Sequence, residues 1–210
     1  MPLQLSAKSA PKLLQEFTDT YTLSKEGFAK ILGEILHFSI ERFIENGIFS
    51  QEKFDQSIIN DLIERALRKY PDPLPNRSKI LSEAQNLLNA FLNNRKVLEE
   101  IKELLLKAKD ILIEPQAYYH DKQEVLRPDI LGISLKEVIL IEIKLRASDY
   151  SEEQVTEYIR LLKNLFQNHP LRVYLLTIDP PALKEILREG KEEGKYAEKL
   201  SHSTQLSLFG

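Results

Sequence analysis

The sequence has no cysteine. Structural disulfides, thiolate zinc sites and cysteine-held iron–sulfur clusters are therefore excluded, and a reducing compartment fits. No long apolar run is present, so no membrane-spanning helix is expected. The opening stretch MPLQLSAKSAPKLLQEF lacks the apolar core of a signal peptide. There is no excess of positive charge either. The 29 Lys and Arg stand against 32 Asp and Glu, so overall charge does not draw the chain to nucleic acid. Any contact with phosphate must come from a local basic patch. The phosphate-cradling pattern G-x-x-x-x-G-K-[S/T] is missing too. GKEEGK at 190–195 has the wrong spacing and follows no expected strand, so no ATP-driven motor is expected in this chain. No internal repeat is visible.

What the chain does have is an ordinary globular composition. Its apolar fraction of 42% is enough for a real core, and 210 residues fit one domain with elaborations. The first 110 residues read as helical. KEGFAKILGEILHFSIERFIENG (25–47) carries apolar residues at helical spacing and ends at Asn46-Gly47. QEKFDQSIINDLIERALRKY (51–70) gives a second helix, and PDPLPN is a rigid break. Residues 80–109 form one long helix or two, divided near Asn93-Asn94, with Ser78 or Ser82 as candidate cap.

The texture changes at Ile111. ILIEPQAYY, VLRPDILGI and VILIEIKL are strand candidates, SEEQVTEYIRLLKNLFQN is an amphipathic helix with an acidic first turn, and RVYLLTID is a fourth strand. Residues 182–200 read as a charged helix, and SHSTQLSLFG as a loose tail. The order predicts an α/β fold with a central mixed sheet flanked by helices. We expect a single domain over 1–200. Its core covers roughly 25–47 and 110–180, with a helical insertion at 48–109 and a flexible tail at 201–210.

VILIEIKLR (138–146) holds the first chemical signal. Side chains in a strand alternate, so Glu142 and Lys144 share one face while Ile139, Ile141, Ile143 and Leu145 take the other. Charges inside an apolar strand are costly and need a cleft, a metal or each other. Asp129, in the preceding RPD, sits one hairpin away. Two carboxylates and a lysine then converge, a set suited to Mg²⁺ or Mn²⁺ and to a nearby water nucleophile. The plainer reading, a structural salt bridge of Glu142 with Lys144 or Arg127, stays open at this point. In the first helix the apolar arc centres on Leu32, Ile35 and Phe43. His37 falls nearly opposite, beside Glu34 and Glu41, so it is not a core histidine. Gly33, one turn earlier, clears space beside it.

These residues together resemble the PD-(D/E)xK nuclease superfamily, and within it the RecB-like branch. Pro128-Asp129 followed by Glu142-Ile143-Lys144 carries the superfamily pattern. Gly33, His37 and Glu41 resemble the branch's opening helix motif, Glu114-Pro115 its Glu-Pro strand, and Gln154 with Tyr158 its Q-x-x-x-Y motif. The glycine that the branch usually has three residues before its aspartate is missing here. The resemblance spans residues 33–158 and implies a restriction-endonuclease-like core. It also implies His37, Asp129, Glu142 and the carbonyl of Ile143 as ligands of Mg²⁺ or Mn²⁺. Lys144 would orient or activate water, with Asp129, Glu142 and Lys144 as the catalytic set. Gln154, Tyr158 and Arg127 would contact DNA, with Glu41 and Glu114 as accessory groups. The implied activity is hydrolysis of DNA phosphodiesters, as an exonuclease in repair or replication and without the iron–sulfur cluster of some relatives. A separate helicase is a possible partner.

QLSLF near the C-terminus resembles the pentapeptide by which bacterial proteins bind the β sliding clamp. Gln205 would bond a pocket rim, and Leu206, Leu208 and Phe209 would anchor. Packing of these residues onto their own domain is the alternative. The resemblance makes the expected location cytoplasmic and nucleoid-associated, with no membrane partner. Other readings are a structure-specific or CRISPR-related endonuclease, a catalytically silent clamp-bound accessory, or an RNA-directed enzyme.

Overall fold

In the computed structural model, residues 24–47, 56–70, 74–119 and 124–189 are described. Among them lie five α-helices, one short 3₁₀ turn and seven strands. Helix α1 (Lys25–Glu45) starts where the Ser24 hydroxyl accepts from the Gly27 N–H at 3.0 Å, and ends just before Gly47, whose positive φ turns the chain away. Helices α2 (Gln56–Leu67), α3 (Arg77–Asn93) and α4 (Arg95–Leu105) follow. Asn94 divides the last two, as its sequence position predicts, and its side chain caps α4 by accepting from Val97 N–H at 3.2 Å. Neither candidate serine caps α3. Asn76 holds that position in a left-handed conformation.

The strands are β1 (Asp110–Ile113), β2 (Ala117–Tyr119), β3 (Glu124–Leu126), β4 (Ile130–Ile133), β5 (Val138–Lys144), β6 (Leu171–Ile178) and β7 (Pro181–Arg188). They form a five-stranded mixed sheet in the order β1-β4-β5-β6-β7, with β2 and β3 as a separate hairpin. Only β5 and β6 are parallel, and helix α5 (Glu152–Leu165) connects them. Two sequence-predicted strands are each cut in two. Glu114, at φ 45°, with Pro115 separates β1 from β2, and Arg127-Pro128 separates β3 from β4.

One expectation is overturned. Residues 182–188 belong to strand β7, not to a charged helix. The segment turns back through Asp179-Pro180 and pairs antiparallel with β6, where Glu185 accepts from Arg172 Nε at 2.7 Å and from the Tyr174 hydroxyl at 3.2 Å. Tertiary pairing outweighs the helix propensity of Ala, Leu, Lys and Glu. The rest of the expected helix and the tail lie outside the described residues.

The sheet is covered on both faces. Ile139, Ile141, Ile143, Tyr174 and Leu176 pack with α1–α4, while Val138, Leu140, Leu171 and Val173 pack with α5. That is why β5 reads as nearly continuous apolar sequence. The loop between β4 and β5 is tight. Ser134 Oγ accepts from the backbone of Lys136 and Glu137, which makes the two strands neighbours as their spacing predicts. No helix among the described residues is long and apolar enough to cross a membrane.

Candidate active site

The site forms where β4 and β5 meet α1 and the start of α5. Asp129 sits immediately before β4, opposite the end of β5. Its Oδ2 accepts from the Ile143 N–H at 2.6 Å, so the carboxylate continues the ladder where β4 has ended. Its carbonyl also accepts from Glu114 N–H at 2.8 Å. A strand residue sends its N–H and C=O to the same edge. The Ile143 carbonyl therefore faces the Asp129 side as well.

His37 reaches Asp129 from α1. Its Nε2 lies 3.0 Å from Asp129 Oδ1, and its Nδ1 lies 3.3 Å from Glu41 Oε1. The helical wheel thus placed His37 off the apolar arc correctly. That face is only partly open to solvent: Glu34 is exposed and His37 half-buried, while Glu41 is only 1% exposed. Burial lowers the proton affinity of the imidazole. Hydrogen bonding to Asp129 and Glu41 and their negative charge outweigh it and hold the pKa up at about 10. Burial raises Glu41 in turn.

Glu142 and Lys144 share a face of β5, as their spacing requires. Lys144 Nζ donates to Glu142 Oε1 at 2.6 Å, so the salt-bridge reading of this pair is met as a contact. It is not an isolated pair. Lys144 Nζ also donates to Gln154 Oε1 at 3.1 Å, Gln154 Nε2 donates to the Tyr158 hydroxyl at 2.8 Å, and that hydroxyl donates to the Arg127 carbonyl at 3.0 Å. Glu142 is fully buried. Burial first, and the Asp129 charge second, raise its pKa against the pull of Lys144. Tyr158, expected at a DNA surface, has its ring buried and its hydroxyl turned inward. Burial and the Glu142 charge push that hydroxyl up to about 12. The Arg127 side chain is exposed.

Among the described residues, the buried carboxylate oxygen Glu142 Oε2 has no hydrogen-bond partner, and Glu41 Oε1, equally buried, has only the long approach of His37 Nδ1 at 3.3 Å. One potential ligand atom each from His37, Glu41 and Asp129 lie within 4.8 Å of one another. A buried charged oxygen with no donor is costly, and a divalent cation relieves it. An imidazole and carboxylates are a donor set that can hold such an ion. Glu41, an accessory residue by sequence, belongs to this tight group. Glu142 lies outside this group, close enough to feel the charges of Asp129 and His37, with its Oε1 bonded to Lys144.

The site opens on a cleft of about 730 Å³, lined on one side by Gly33, Glu34, His37 and Phe38 of α1 and on the other by Lys144, Leu145 and Arg146. Glu114 also borders it. Lys69 and Tyr70, just past α2, complete the wall. Tyr70 is tied to Glu34, and the Lys69 ammonium lies 4.2 Å from the centre of the Phe38 ring. Nothing in the sequence marks Lys69, Tyr70 or Phe38 beyond their place on a helix or at its end. Gln205, Leu206, Leu208 and Phe209 of the tail lie outside the described residues.

Compared with known proteins, the chain matches no family model and no curated protein. Solved structures similar to it include protein VC1899 from Vibrio cholerae, at 10% identity and a TM-score of 0.32 over 85% of this chain. The chain spans 50% of that protein's length. Another is SSO0001, at 19% identity and a TM-score of 0.24, covering 82% of this chain and 87% of that one. Likeness at this level assigns no function.

Proposed function

We propose that this protein is a metal-dependent DNA nuclease with a restriction-endonuclease-like core, acting as an exonuclease of RecB-like type. The observation that carries the reading is the clustering of His37 with Asp129 and of Lys144 with Glu142 at the ends of β4 and β5, where His37 and Lys144 line the cleft and the Glu142 carboxylate is buried with one oxygen unpartnered. Asp129, Glu142, His37 and the Ile143 carbonyl would hold Mg²⁺ or Mn²⁺, with Glu41 adjacent. The ion would polarise the scissile phosphate and lower the pKa of its water. Lys144 holds its ammonium between Glu142 and Gln154, which uses two of its three protons. The third is free for the cleft, where it would meet an attacking water or the charge that develops on phosphorus. Asp129 is fixed by a backbone N–H and so stays in place through turnover. The C-terminal QLSLF would tether the enzyme to a bacterial sliding clamp, and a helicase would be a separate protein.

The test is cleavage of end-labelled single- and double-stranded oligonucleotides, and of a circular strand, in Mg²⁺ or Mn²⁺ against EDTA. Wild type should release label only with metal and should spare the circle. Lys144→Ala should fold and bind DNA but not cleave. Undiminished cleavage by that variant would remove Lys144 from the mechanism, and cleavage of the circle would make the enzyme an endonuclease.

A further inference from the structure

The side chains of Gln154 and Tyr158 form a directed chain whose polarity is set at one end. The Tyr158 hydroxyl gives its only proton to the Arg127 carbonyl. Toward Gln154 it can therefore only accept, so the amide must present Nε2 to it, at 2.8 Å. The amide oxygen is then turned to Lys144, at 3.1 Å. The reverse amide orientation would set an NH₂ against an ammonium and an oxygen against an oxygen.

Both ends of this chain matter to the site. Arg127 lies two residues before Asp129, in the break between β3 and β4, and Lys144 ends β5. The tyrosine ring that bears the hydroxyl is 4% exposed and packs among Val155, Leu161 and Leu126. It is anchored in the core that α5 forms with the sheet and is not available to a strand in the cleft. We infer that Tyr158 is a positioning residue: through Gln154 it aims the Lys144 ammonium, and through the Arg127 carbonyl it holds the segment that presents Asp129. This rests on the nuclease reading above and replaces a DNA contact with an internal strut. Removing the hydroxyl frees the Gln154 amide to rotate and leaves the Arg127 carbonyl without this donor.

The experiment compares wild type, Tyr158→Phe, Gln154→Ala and the double variant, reading kcat and KM for an oligonucleotide separately. Tyr158→Phe keeps the ring, so the fold should persist, as checked by circular dichroism and melting. We expect kcat to fall about 10–100-fold, the range for losing an outer partner of a site residue, with KM unchanged. The double variant should lose no more than the worse single variant, since both break one chain. NMR of ¹⁵N-labelled lysine side chains gives a second readout that needs no activity. The Lys144 ammonium signal should shift in Tyr158→Phe. A KM rise at constant kcat would make Tyr158 a DNA contact and overturn the strut, as would unchanged kcat together with an unmoved Lys144 signal. A wild type that never cleaves would sink the nuclease reading, and with it the catalytic role given to Tyr158. The lysine signal would still show whether the chain holds Lys144.

Discussion

Glu142 should be a liability to the metal-free protein. Its carboxylate is fully buried, one oxygen has no donor, and the Asp129 charge stands near it. Burial, then Asp129, lift its pKa from the ordinary 4.5 to about 7 despite Lys144. Between those values the folded state binds more protons than the unfolded one, so stability falls as pH rises through the window. Each pKa unit is worth about 1.4 kcal/mol, which gives about 3 kcal/mol lost by pH 8. At pH 5 the loss is under about 1 kcal/mol by the same linkage. Glu142→Gln keeps the shape and removes the charge. In EDTA at pH 8 it should therefore be more stable than wild type by about 3 kcal/mol, or about 6–12 °C in Tm for a chain of this size. Its advantage should shrink to under about 1 kcal/mol at pH 5. Cleavage should be lost at both pH values. Urea unfolding of both proteins at the two pH values measures this directly. A variant no more stable than wild type at pH 8, or an advantage equal at both, would refute the burial argument.

Gly33→Leu tests the cleft. A Cβ at Gly33 would meet nothing within 4 Å, so the fold should tolerate the side chain while the space beside His37 fills. Unchanged circular dichroism with a KM for DNA raised about tenfold or more is expected, a loss of about 1.4 kcal/mol in binding; an unaltered KM would place the strand elsewhere. Glu185 tests the β6–β7 edge. Burial acts upward, but Arg172 and Tyr174 hold its pKa below the ordinary range, so its stabilisation is full above pH 4.5 and lost as pH falls through the folded value. Glu185→Gln should cost about 1 kcal/mol at pH 7 and nothing once wild-type Glu185 is protonated, which melting curves across pH will check. Deleting residues 205–210 should abolish binding to a sliding clamp in a pull-down and leave cleavage of free oligonucleotides unchanged. Loss of folding on deletion would mean that the tail packs on the domain.

Local patterns made much of this legible. The alternation in β5 set Glu142 and Lys144 on one face, the short loop after Ile133 made β4 and β5 neighbours, and Asn94 divided two helices. What escaped was fixed by distant partners. Residues 182–188 carry the composition of a helix and become a strand because β6 offers an edge and Arg172 and Tyr174 meet Glu185 across it. Glu41 falls off the apolar arc of α1 on a helical wheel, which cannot know that this position is buried. Tyr158 shares a helix face with Gln154, yet that spacing does not say the hydroxyl turns inward to Arg127. A strand that begins at Ile130 and a carboxylate that continues its ladder one residue earlier are equally invisible without the register.

The way Asp129 closes the ladder against Ile143 has a kinetic consequence. The β4–β5 hairpin closes through the short loop 134–137, so closing it costs little chain entropy and its zipping can come early in folding. Asp129, Glu142 and Lys144 are brought together by that event alone. His37 and Glu41 arrive only when α1, from far earlier in the chain, docks on the finished sheet. The site is therefore assembled in two instalments, and Asp129 and Glu142 spend the interval without the histidine that later meets Asp129.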